Sequence, residues 1–105
     1  MTAYPLALSE IVSWFLAKQS ALSGSGVSVV GIRQGEGGPK PGASADFDGL
    51  GTLGQICGWV SGEFDFHVLR ASDGKDVLWK HADVSVLPQL EAVYAEFIRV
   101  LETAG

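Results

Sequence analysis

The most constraining stretch of this chain runs from Leu53 to His81, LGQICGWVSGEFDFHVLRASDGKDVLWKH. Within it Phe64, Phe66 and Val68 alternate with Asp65, His67 and Leu69. That period of two puts an apolar row and a mixed row on opposite faces of one strand, which suits a sheet covered on a single side. Asp73-Gly74 is a hairpin signal. A two-residue loop there pairs Ser72 with Lys75, Val68 with Trp79 and Phe66 with His81. It places Trp79 in the hairpin core and sets His67 opposite Lys80, so that His67 and His81 face opposite sides. The turn at Ser61-Gly62-Glu63 has two solutions. A two-residue loop puts Cys57 and Trp59 on the Phe64/Phe66 face. A three-residue loop puts Ile56, Gly58 and Val60 there and sends Trp59 to the open face beside Asp65. A shift of one residue flips every side chain, and both solutions stay open.

Elements of different period flank this stretch. Leu8 to Leu22 is expected to be a helix, with Ser9 as its cap, Glu10 in its first turn and Ile11, Val12, Phe15 and Leu16 as its apolar face; Lys18 and Gln19 lie off that face. Ser23-Gly24-Ser25-Gly26 ends it. Val27 to Arg33 reads as a strand, Gln34 to Gly42 as a mobile Gly/Pro loop, and Ala43 to Asp48 as a second strand anchored by Phe47. GLGTLG connects that strand to the central stretch. Ser85 to Glu102 is an amphipathic helix with Ser85 as its cap and Pro88 in its first turn. Leu87, Leu90, Tyr94, Phe97, Ile98 and Leu101 line one of its faces, and Glu91, Glu96, Arg99 and Glu102 the other. The expected fold is α+β: one domain over residues 1–105, an antiparallel meander of four to five strands, and an N-terminal and a C-terminal helix packed on one face. The order of the strands before Leu53 stays open.

Charge narrows the function classes. The net charge is −5, which speaks against sequence-independent nucleic-acid binding and suits a basic protein partner. With one cysteine, Cys57, no intramolecular disulfide can form. The N-terminus carries no Lys or Arg before Lys18, and no uncharged run reaches the roughly 18 residues of a membrane span. A cytoplasmic, non-membrane protein is expected.

Catalytic and metal motifs are weak. Gly49 to Gly54 matches G-x-G-x-x-G, but a strand-like segment follows where phosphate binding needs a helix N-terminus. Cys57, His67, His81, Asp46 and Asp48 lack tight metal-ligand spacing, so neither a metal nor another cofactor is expected. In the three-residue register Cys57 and His67 become cross-strand neighbours, yet a mid-sheet thiol lacks the cationic setting that makes a thiolate. No enzyme activity is expected. Trp59 is either core or an exposed aromatic anchor beside acidic residues.

Several of these features recur together in one family. Trp14-Phe15 in the first helix, Trp59 three residues before Gly62, and Phe64-Asp65-Phe66-His67-Val68-Leu69 before an amphipathic helix resemble the TriTu-like immunity proteins of bacterial polymorphic toxin systems. The resemblance spans roughly Leu8 to Leu101; the loop from Gly35 to Gly42 is longer than the family pattern. It implies a non-enzymatic protein that binds and neutralises a cognate Rhs or type VI toxin domain in the producing cell. The name-giving toxin is an ADP-ribosyltransferase acting on elongation factor Tu. That makes such a transferase the candidate partner, although toxin specificity does not follow from a shared fold. The expected partner-binding residues are Trp59, Glu63, Asp65 and His67, with Asp46 and Asp48, on a monomer or weak homodimer. Two other classes fit the same totals: a type III-like secretion chaperone that binds an effector segment as a dimer, and a small ligand-binding domain with a deep pocket.

Overall fold

A computed structural model describes residues 4–35 and 40–105. The element order is α1 (Leu8–Ala21), β1 (Ser28–Gly35), β2 (Gly42–Asp48), β3 (Thr52–Trp59), β4 (Glu63–Arg70), β5 (Asp76–Asp83), a short 3-10 turn (Leu87–Leu90) and α2 (Glu91–Thr103). The five strands form one sheet in the order β1-β2-β3-β4-β5, and every neighbouring pair is antiparallel. The expected α+β meander with a helix at each end is therefore what forms. The strand order before Leu53, left open by sequence, is the simple one. Both helices pack on the same face, α1 over β1 to β3 and α2 over β3 to β5.

Alternation decides which residues go under the helices. Ala43, Ala45 and Phe47 of β2, Ile56 of β3, and Phe64, Phe66 and Val68 of β4 point inward and are buried. They meet Ile11 and Phe15 of α1 and Tyr94, Phe97 and Leu101 of α2, with Leu90 from the turn before it. Phe97 stands edge-on to Phe47 and Phe66, with ring centroids 5.0 and 5.7 Å away. Such contacts add modestly to the area that these rings bury.

The β3–β4 loop has three residues, Val60-Ser61-Gly62. It starts one residue before the expected Ser61-Gly62-Glu63 loop, which keeps Ile56, Gly58 and Val60 on the Phe64/Phe66 face but slips the pairing by two residues. Cys57 pairs with Asp65, Gly58 with Phe64 and Ile56 with Phe66. Gly62 has φ +98°, the left-handed last position that such a loop requires. Packing at Gly58 favours the same register, because a Cβ there would lie 2.2 Å from the Phe64 ring.

The β4–β5 turn departs from the expected two-residue hairpin. Gly74 N–H donates to Arg70 O at 2.8 Å, and Arg70 N–H donates to Lys75 O at 2.9 Å, so four residues form the loop. Asp73 Oδ1 accepts from Lys75 N–H at 3.1 Å, a side-chain cap that the Asp-Gly pair alone does not reveal. The register then shifts between Val68 and Leu69. Phe66 consequently faces Lys80 and His67 faces Trp79. Trp79 is not in the core, and His67 and His81 do not face opposite sides.

The helices carry smaller corrections. Ala7, not Ser9, precedes α1, and its N–H donates to Glu10 Oε1 at 2.9 Å. Leu16 is exposed, whereas Lys18 is half-buried between the helices. Before α2, Gln89 Oε1 accepts from the N–H groups of Ser85 and Val86, and a 3-10 turn containing Pro88 precedes the helix proper. The mobile loop expected at Gln34 to Gly42 is partly strand, since β1 reaches Gly35 and β2 begins at Gly42; residues 36–39 lie outside the described residues. The GLGTLG segment likewise turns at Gly49-Leu50-Gly51 and already enters β3 at Thr52.

Candidate functional site

Among the described residues no helix covers the second face of the sheet, and its side chains form rows that follow from strand register. Ser28, Asp48, Leu53, Leu69 and Asp76 make the first row. The second runs Gly31, Asp46, Gln55, His67, Trp79. The third runs Arg33, Ser44, Cys57, Asp65, His81. Gly35, Gly42, Trp59, Glu63 and Asp83 make the fourth. All six sequence-nominated residues, Trp59, Glu63, Asp65, His67, Asp46 and Asp48, lie on this face. They are spread over its four rows rather than gathered at one point.

Ion pairs order the acidic groups. Asp46 Oδ1 accepts from Arg33 Nη2 and Gln55 Nε2, each at 3.0 Å. Glu63 accepts from Lys40 Nζ and from Ser61 Oγ; these bonds hold its carboxyl below the usual range, the Lys40 contact contributing most. His81 Nδ1 is 2.6 Å from Asp65 Oδ1, and its Nε2 is 3.1 Å from Asp83 Oδ1. With both ring nitrogens directed at carboxylates the imidazolium is favoured, and its pKa is raised, first by Asp65 and then by Asp83. His67 Nε2 lies 2.5 Å from Asp76 Oδ1.

Sequence reasoning missed four functional candidates here: Trp79, His81, Asp83 and Asp76. The placement of Trp79, His81 and Asp83 depends on the irregularity beside Leu69, which shifts the rest of β5 by one position. Trp79 is 62% exposed. Its ring stands edge-on to His67, with centroids 4.9 Å apart and planes at 79°. Leu53, 50% exposed, pairs across the strands with Leu69 beside them. Trp59 is half-buried at the opposite end and lies against Gly42, where a Cβ would sit 2.8 Å from its ring.

The face does not assemble a nucleophile. Cys57 stands opposite Asp65, and His67 stands opposite Gln55, so the supposed cross-strand pair is only diagonal. Burial, then Asp65, pushes the Cys57 thiol up, away from the thiolate form that reacts. Among the described residues, no three or more His, Cys, Asp or Glu side chains are placed to hold a metal ion. A dish of ≈ 330 Å³ lies between Arg33, Lys40, Ser44 and Trp59, open along the face rather than enclosed. No helix among the described residues is long and apolar enough to cross a membrane.

The face presents an exposed Trp79, Leu53 and Leu69 beside it, and six carboxylates. No curated protein and no solved structure matches the chain. The family model described as immunity protein TriTu does match it, over residues 9–100, from α1 through all five strands into α2. The chain belongs to the TriTu family of immunity proteins.

Proposed function

We propose that this protein binds a cognate toxin domain through the open face of its sheet and blocks that toxin inside the producing bacterium. Membership of an immunity-protein family supports toxin neutralisation in general. The observation that carries the proposed surface is the sidedness of the fold: both helices cover one face, while the other presents Trp59, Glu63, Asp65, His67, Asp46 and Asp48. In this reading the toxin is of the Rhs or type VI kind, with an ADP-ribosyltransferase as its candidate chemistry. The immunity protein acts in the cytoplasm by occlusion and performs no catalysis of its own. An acidic face suits a toxin whose cleft is cationic because it handles nucleotides or nucleic acid.

The test is co-expression with the cognate toxin domain, sought among the genes that adjoin this one. Relief of toxicity and a tight one-to-one complex are expected. Trp59→Ala combined with Asp65→Lys should weaken that complex; unchanged affinity would remove this patch from the interface. Binding as a dimer to an unfolded effector segment would replace the reading with that of a secretion chaperone.

A further inference from the structure

The open face has one place built as an anchor, and it is not the tryptophan nominated from sequence. Trp59 is half-buried over Gly42, so a partner has little more of it to cover. Trp79 is 62% exposed, yet its orientation is supported. The His67 ring stands edge-on to it, and Asp76 holds His67 at 2.5 Å. Exposed area to bury, together with a ring already held in place, is the combination found at interface hot spots. The two indoles are far enough apart to be tested separately: two strand spacings and four residues of rise put them roughly 16 Å from one another.

The charge around Trp79 indicates what it receives. Asp65 and Asp83 flank it through His81, and Asp76 flanks it through His67. On the other side of β5, Lys80 is turned toward Glu96 of α2 and away from this face. Among the described residues, the face and its rim carry Asp46, Asp48, Glu63, Asp65, Asp76 and Asp83 against Arg33 and Lys40, paired with Asp46 and Glu63, and the His81 imidazolium between Asp65 and Asp83. An aromatic ring in such a field attracts a cation to its π surface, and Arg, being planar, stacks best. We propose that the Trp79–His67 platform at the β4–β5 end is the anchor of the toxin interface and that it takes a cationic side chain, foremost an arginine, of the toxin.

This inference rests on the immunity reading above, and the experiment separates the two. The probe is the toxin domain that the co-expression test identifies, inactivated by mutation, with affinity measured by calorimetry. Failure of the wild-type protein to bind it overturns both. If the wild type binds, Trp79→Leu keeps apolar bulk but removes the π face, and should weaken binding about 30-fold or more. Trp79→Tyr keeps a π face and should stay within about fivefold. An unaffected Trp79→Leu overturns the anchor alone. Equal losses for Leu and Tyr overturn the cationic occupant. A second readout does not depend on changing Trp79: in Trp59→Phe, which retains Trp14 and Trp79, complex formation should shift the emission of the exposed indole to the blue. Binding without that shift also overturns the proposal.

Discussion

At the scale of single residues, His81 makes the clearest commitment. Its two ring nitrogens face Asp65 and Asp83, and its pKa is raised above the ordinary 6.5. A raised pKa means that the folded state holds the proton more tightly than the unfolded chain. The stabilisation is thus complete below pH 6.5 and is lost as pH rises through the higher folded value. We expect an NMR titration to place the His81 midpoint above 6.5. His81→Gln should remove the part of the stability loss that wild type shows over that window, as read by denaturant unfolding at a series of pH values. A wild-type midpoint at or below 6.5 would show that the Asp65 and Asp83 contacts are not kept in solution. Glu63 is also charged nearby, but its carboxyl is lowered by Lys40 and titrates well below this window.

At the scale of elements, the two helices are tied together at one crossing. Lys18 Nζ of α1 donates to Glu91 Oε1 at the start of α2 at 2.6 Å, and Trp14 Nε1 donates to Glu91 Oε2 at 3.0 Å. The same ammonium lies 4.6 Å from the Tyr94 ring centroid and 5.2 Å from that of Trp14. Glu91 has a lowered pKa, chiefly because of Lys18, so its contribution exists at neutral pH and fades as pH falls through the folded value. The Glu91 side chain is about half exposed, and solvent screening keeps such a pair small. Lys18→Met should cost about 0.5–1 kcal/mol at pH 7, and that difference from wild type should shrink in acid, measured by urea unfolding. Lys18, seven residues after Ile11 and three after Phe15, falls on the inward side of α1. Its partner is 73 residues away, beyond the reach of any local pattern.

The same contrast runs through the rest of the fold. Element order, the α2 face and the alternation in β4 were legible because each is a local period in the chain, whereas on α1 Leu16 proved exposed and Lys18 half-buried. The β3–β4 register was underdetermined by pattern; the observed form agrees with the positive φ at Gly62 and with the space that the Phe64 ring needs at Gly58. The β4–β5 register was misjudged because Asp73-Gly74 announces a tight turn but not its length. The Asp73 cap and the irregularity after it moved every later side chain of β5 by one position. Asp46, Asp48, Glu63, Asp65 and His67 could be nominated from sequence because they precede that irregularity. Trp79, His81 and Asp83 could not, because they follow it.

At the scale of the whole molecule, charge and shape coincide on one surface. Five strands of about eight residues present a face of about 600 Å², most of the roughly 800 Å² that one partner contributes to an ordinary stable interface. That surface holds six of the chain's carboxylates, while the net charge is −5. Encounter with a cationic toxin should therefore be steered by the field. The association rate constant should fall about tenfold or more between low and physiological salt, with a much smaller change in dissociation. Stopped-flow mixing over a salt series measures this, and a salt-independent rate would show that the acidic face does not guide the encounter.

The meander also separates two kinds of heredity within each strand. Along β3 and β4 every second position is packed under the helices, while the positions between them make their contacts across the open face. Leu53, Gln55, Cys57, Trp59, Glu63, Asp65, His67 and Leu69 stand outside the core that Ile56, Phe64, Phe66 and Val68 help to build. Two descendants of one ancestor could share a core and hold no outward residue in common. A lineage pursuing a changing adversary can then exchange its contact surface one residue at a time, without passing through an unfolded intermediate.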